Sequence, residues 1–332
     1  MKNKFWLVVL FFAAGLFIVA CFAVNTTALS EAIVRHALAS RKGVVFKDIH
    51  IARQRFTWPG RVDWGDVKLE IEVNGKKAGM EAPAVSVTGL EDLLSSRAHL
   101  LINARGARLV YDKGRAGDVT AALALEGHEL SGPLTMGTLS WDKWQAQDVS
   151  LVLVVNAAGV QARAVTLKAY DGKVTGKVIV DMAPVPAYAV ELFADGLDVA
   201  RMAPANAGLA EELSGRLKGS LKLEGSATAL RTLDTDLVMP AGGKISAVFL
   251  ASLTRYLPQS REKERLDLLV NNGGKLVMEG FSFTMKSSRK GRYSGEIHLK
   301  SREVNLELNL THEINTDGTL ASLLAYAARI LK

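Results

Sequence analysis

From Val44 to Ser301 apolar and polar residues alternate repeatedly with a period of two. That period places one set of side chains on each face of a pleated strand. It predicts strands at Val44–Ala52, Val62–Val73, Pro83–Gly89, His99–Asp112, Asp118–Gly127, Asp148–Ala157, Val160–Gly172, Lys173–Met182, Ala187–Gly196 and Arg216–Ala227. Three more are expected at Gly274–Lys286, Gly291–Ser301 and Glu303–Ile314. In the second, Val67, Leu69, Ile71 and Val73 share one face while Lys68, Glu70 and Glu72 share the other. Asp171-Gly172 has the chemistry of a tight hairpin turn, and the neighbouring GKVTGK (Gly172–Lys177) reads as part of that hairpin, not as a phosphate loop.

Helical periods interrupt the series. Ala28–Arg41 carries Leu29, Ile33, Val34, Ala37 and Leu38 as an amphipathic stripe, stopped by Gly43. Leu90–Arg97 reads as a helical turn, Lys244–Leu257 and Ser260–Val270 as two helices, and Thr319–Leu331 as an apolar helical tail. The pattern is that of a mainly-β antiparallel meander, half-buried strand by strand. It fits a closed sandwich, with two apolar faces about 10 Å apart, and a single curved trough equally well.

Phe5–Val24 contains no charge, and its 20 residues would span about 30 Å as a helix, the thickness of a bilayer's hydrocarbon. Lys2 and Lys4 on its N-terminal side predict a cytoplasmic start with the remainder exported. Residues 1–27 are thus expected to be an anchor in the inner membrane, 28–42 an amphipathic helix and 43–332 a periplasmic β domain. A cleaved secretory signal is one alternative. A lipoprotein signal is another, since Ile18-Val19-Ala20-Cys21 has the order of a lipobox and Cys21 is the only cysteine. Cys21 is then the candidate lipidation site.

With one cysteine among 332 residues, no disulfide framework can hold the fold. The net charge of +7 suits an anionic surface, but the basic residues are scattered among acidic ones and export removes nucleic-acid partners. No hydrolase elbow, zinc signature, dithiol or dinucleotide fingerprint occurs. The expectation is a non-enzyme with neither metal nor cofactor. His298 and His312 could face each other across the last hairpin, but half-exposed strand histidines are the favoured reading. Asp195, Asp198, Asp234 and Asp236 read as turn carboxylates, and REKER (Arg261–Arg265) as a solvated helix face.

Leu167–Gly225 adds a more specific signal. Tyr170, Gly172, Lys173 and Gly176 form a "Tyr-x-Gly-Lys-x-x-Gly" hairpin, followed by an apolar strand ending at Asp181. Tyr188 then leads a strand into Gly196-Leu197-Asp198, and Gly215, Leu217, Gly219, Leu223 and Gly225 form a Gly/Leu strand. This order resembles the AsmA-like family of bacterial inner-membrane-anchored envelope proteins. The resemblance implies an elongated, curved antiparallel sheet forming an apolar groove, related in shape to bridge-like lipid transfer proteins. It also implies phospholipid as a partner, and a part in outer-membrane lipid homeostasis or, alternatively, in scaffolding outer-membrane protein assembly. The family supplies no catalytic residues. With ~15 strands at about 4.8 Å the groove would reach only ~70 Å, short for a complete bridge. Alternation nominates Leu69, Ile71, Leu151, Leu153, Leu221, Leu223, Leu306 and Leu308 as groove-lining positions.

Overall fold

The computed structural model describes residues 26–39, 44–73, 75–91, 99–181, 187–202, 213–226, 229–246, 250–251, 259–289, 292–301 and 306–315. The anchor expected at Phe5–Val24, Cys21 within it, and the tail at Thr319–Leu331 lie outside these residues. Among the described residues no helix is long and apolar enough to cross a membrane. The chain divides into two compact units, Met1–Asp142 and Lys143–Lys332.

In the first unit a helix, α1 (Thr27–Ala39), precedes six strands: β1 (Val44–Thr57), β2 (Arg61–Val73), β3 (Lys76–Thr88), β4 (His99–Tyr111), β5 (Gly114–Glu126) and β6 (Glu129–Trp141). Each pairs antiparallel with the next. Among the described residues of the unit β1 has only β2 beside it, so one edge of β1 has no described strand against it. α1 covers that edge. The Ile51 amide donates to Glu31 Oε1 at 2.8 Å, and the Arg35 guanidinium stacks 5.2 Å from the centre of the Phe46 ring. An exposed edge invites pairing with foreign strands, and a docked helix prevents it.

The second unit begins with β7 (Trp144–Asn156), β8 (Gly159–Ala169), β9 (Gly172–Asp181), β10 (Ala187–Asp198), β11 (Leu213–Ser226) and β12 (Leu230–Met239). Then come β13 (Gly243–Ser246), the helix α2 (Arg261–Asn271), β14 (Lys275–Met278), β15 (Gly280–Arg289), β16 (Arg292–Ser301) and β17 (Leu306–Asn315). The ladder runs β7 to β12 and passes directly to β15, β16 and β17, antiparallel throughout. β13 and β14 branch from it, pairing with the first residues of β11 and with each other. Neither unit's ladder closes into a barrel. The protein is mainly β, an open antiparallel meander with few helices.

Burial follows two rules. At the branch, Met239, Ile245, Leu250, Leu266, Leu276 and Leu299 are 0% exposed and pack with Val199, Leu213 and Met278. This is a local second layer formed by the β13–β14 pair and α2. Elsewhere many buried residues follow a crease across the strands, and Leu230, Leu233 and Tyr293 form a separate small cluster. At Asp66, Gly106, Asp118, Asp148, Ala164 and Gly196 the backbone turns left-handed, with φ of 52°, 64°, 53°, 49°, 49° and 73°. Each is followed by a buried apolar residue: Val67, Ala107, Val119, Val149, Val165 and Leu197. An extra or left-handed residue within a strand sharpens its twist and shifts its side-chain phase by one. In β2, for example, Val62 and Trp64 precede the slip while Val67 and Leu69 follow it on the same face. Ile51, Val67 and Ala82 lie in one register row along this crease in the first unit.

Several expectations need correction. β6 and β12 form strands where none was expected, and β3 begins at Lys76, well before Pro83. Asp234 and Asp236 therefore lie inside β12 and Asp195 inside β10, not in turns, whereas Asp198 ends β10 and accepts from the Ala200 amide at 3.0 Å in the turn that follows. Lys244–Ser246 belongs to β13 and is not helical. Gly274–Lys286 is two strands with different partners, β14 and β15. His298 faces Asn309 and His312 faces Gly295, so the two histidines do not oppose each other.

Candidate functional site

In the second unit the register carries apolar residues across the strands in rows. Ala162, Val178, Val190, Leu223 and Leu233 form one row from β8 to β12. Leu167, Val174, Ala194, Gly219, Leu237, Phe283, Ile297 and Leu310 form another, from β8 to β17. Directly opposed residues share a face, so these rows make one apolar surface. Val178, Val190, Leu192, Leu221, Leu223, Leu237, Phe283 and Ile297 on that surface are half-buried. Two sheets packed face to face would bury such positions almost fully. Only the β13–β14 pair, among the described strands of this unit, stands outside the ladder.

Each expected lining position has a definite place. Leu69 and Ile71 are half-buried on one face of β2, opposite Ile49 and Phe46. Leu151 and Leu153 are half-buried on β7, with Leu153 opposite Ala162. Leu221 and Leu223 sit two apart on β11, facing Leu192 and Val190 on one side and Thr235 and Leu233 on the other. Leu308 takes the position opposite Leu299, which the local second layer covers, and Leu306 the one opposite Ser301. The structure thus brings Leu221 and Leu223 into the rows. One-sidedness also has an exception, Val154, which is 5% exposed on the other face of β7.

The opposite face is ionic. Lys177 pairs with Glu191 at 2.9 Å, Lys218 with Asp195 at 2.8 Å and Lys222 with Glu224 at 3.2 Å. Such exposed pairs contribute little stability, but they mark this face as the wet one. Comparison with family models, curated proteins and solved structures gives no match. The chemistry must therefore be read from the residues themselves.

At one end of the ionic face lies an open cleft of about 810 Å³, lined by residues of β7, β8, β9, β10 and β11 and the turns between them. Its walls carry Lys143, Lys168, Lys173, Arg201, Arg216 and Lys218 against Asp171 and Asp195. The β8–β9 turn is tied down from two sides. The Asp198 amide donates to the Tyr170 carbonyl at 2.8 Å, and Arg201 reaches both Asp171 carboxylate oxygens, at 3.0 and 2.9 Å. Tyr170 meets Trp144 edge-on at 6.1 Å, and its hydroxyl is buried without a hydrogen-bond partner. The Lys168 ammonium is held above its ordinary pKa, first by its hydrogen bond to Asp148 and then by that carboxylate's charge. Sequence reading missed this cleft. Its signal was the pair of lysines flanking the Tyr170–Gly172 turn.

Proposed function

We propose that the apolar rows of the second unit hold the acyl chains of phospholipid, and that the chain works as an envelope lipid-handling protein of the AsmA-like kind. The observation that carries this reading is the row through Val178, Val190 and Leu223: in register, on one face, and only half-buried. Apolar surface left without a covering layer is the form that an interaction site takes. Acyl chains match it because their contact needs no directional partner and grows with the area covered. The opposite face, set with ion pairs, stays in water. On this reading the N-terminal apolar run holds the protein in the inner membrane with the β domain in the periplasm, contributing to outer-membrane lipid homeostasis.

Native mass spectrometry of the detergent-extracted full chain tests the proposal. Phospholipid should co-purify, and Leu221→Asp or Leu223→Asp should reduce it while circular dichroism stays unchanged. Protein that carries no lipid, or variants that retain it at the parent level, would overturn the reading.

A further inference from the structure

We infer that the cleft at the β8–β9 turn is a binding site for phosphate-bearing anions. It lies on the ionic face, so it does not rest on acyl-chain binding by the opposite one.

Three of the six cations lining the cleft are neutralised: Lys168 by Asp148 at 2.8 Å, Arg201 by Asp171 at 2.9 Å and Lys218 by Asp195 at 2.8 Å. The other three are not. Among the described residues the Lys143 and Lys173 ammonium groups have no ion-pair or hydrogen-bond partner, and the Arg216 guanidinium reaches the Gly196 carbonyl, at 3.4 Å. Asp195, opposite Lys173 in register, gives its carboxylate to Lys218 instead. Asp198, opposite Arg216, accepts from the Ala200 amide.

The hairpin itself carries the clearest sign. Lys168 and Lys173 are directly opposed across β8 and β9. Like charges at directly opposed positions destabilise a strand pair unless each is compensated, and here Asp148 compensates Lys168 alone while Lys173 has no carboxylate of its own among the described residues. An anion beside Lys173 would supply the missing charge. The walls are also fixed before any ligand arrives, because Arg201 clamps Asp171 through two hydrogen-bonding nitrogens and the turn is tied to the end of β10. Fixed walls lower the ordering cost of binding. Phosphate oxygens fit this donor set, with ammonium groups acting as point charges and Arg216 as a planar fork.

The same chemistry is offered by free phosphate and by a phospholipid headgroup, and the test separates them. Inorganic phosphate is titrated into the full chain in neutral detergent by calorimetry. Phosphatidylglycerol and diacylglycerol, each dissolved in the same micelles, are compared as ligands. The inference expects binding of phosphatidylglycerol, weakening as salt rises, and at least about tenfold loss of that affinity in Lys143→Gln/Lys173→Gln. Lys143→Arg/Lys173→Arg should retain binding, and Lys222→Gln, on the same face but outside the cleft, should leave it unchanged. Inorganic phosphate binding lost in the same double variant assigns the site to phosphate in general. Phosphatidylglycerol binding alone assigns it to the headgroup. If neither phosphate nor phosphatidylglycerol binds, or if the double variant binds both as the parent does, the inference is overturned. Diacylglycerol binding unaffected by the lysine changes would show the apolar reading standing apart from this one.

Discussion

Tyr188 on β10 lies over Gly225 on β11, its register partner. A Cβ built on the glycine would come within 2.7 Å of the Tyr188 Oη and 2.9 Å of its Cζ. The ring fills the space that a side chain would take, which is how an aromatic residue compensates for a glycine in a strand. The Ala229 carbonyl oxygen stands equally close, at 2.7 Å. Gly225→Ala should therefore overpack the site and destabilise the second unit by about 1–3 kcal/mol. Urea unfolding measures this. In a Tyr188→Leu background the same alanine should cost less, and an equal cost in both backgrounds would disprove the contact.

The crease offers a pair of substitutions with opposite signs. Ala164 holds φ of 49° in a region where a Cβ is strained, whereas Gly106 holds φ of 64° with only Pro83 Cγ nearby, at 3.8 Å. An L side chain in this region costs about 1–2 kcal/mol. Ala164→Gly should relieve that strain, offset in part by the glycine's greater freedom when unfolded, for a net gain of up to about 1 kcal/mol. Gly106→Ala has room for its methyl and should lose about 1 kcal/mol from backbone strain alone. Thermal unfolding of the two variants checks this. A shift of the same sign in both would show that the left-handed positions do not set the crease.

The chain's β meander was legible wherever alternation ran unbroken, as in Lys173–Met182 and Ala187–Gly196. β6 was not, because Gly132, Pro133 and Gly137 break its pattern, and its pairing with β5 supplies what its own residues lack. β12 was hidden by Asp234 and Asp236, residues typical of turns that here sit between apolar strand positions. The crease escaped because Gly65-Asp66-Val67 and Gly117-Asp118-Val119 read as ordinary alternation. Only the register reveals that the phase slips there. Leu221 and Leu223 were legible as face-sharing residues. The basic cleft was not, since it gathers residues from Lys143 to Lys218 that only sheet pairing brings together.

α1 meets the outer edge of β1 through a charged acceptor, Glu31, which takes the Ile51 amide at 2.8 Å. Hydrogen bonds to charged groups contribute about 1.5–3 kcal/mol. Glu31→Ala should therefore speed exchange of the Ile51 amide by roughly tenfold or more, since each 1.4 kcal/mol is about a factor of ten. Amides in the β4–β5 pair should exchange as before. Hydrogen exchange read by mass spectrometry on peptides covering β1 decides the matter. Unchanged protection at Ile51 would mean that the helix does not close this edge.

Where the ladder passes from β12 to β15, side chains continue it past the last backbone pair. Asp234 Oδ1 accepts from both the amide and the hydroxyl of Ser287, each at 3.2 Å, and the Leu233 amide lies 3.4 Å from the same hydroxyl. Leu233 and Tyr293, buried beside this junction, pack with Leu221, Leu223 and Met285 of the apolar face. Removing the carboxylate leaves the Ser287 amide without its acceptor, at a cost of about 1–3 kcal/mol. Asp234→Ala should lower stability by that amount, and Asp234→Asn should recover most of it, because an amide oxygen can still accept. Ser287→Ala, which keeps its backbone amide, should cost less than Asp234→Ala. If the asparagine variant were as unstable as the alanine one, charge rather than hydrogen bonding would govern the junction.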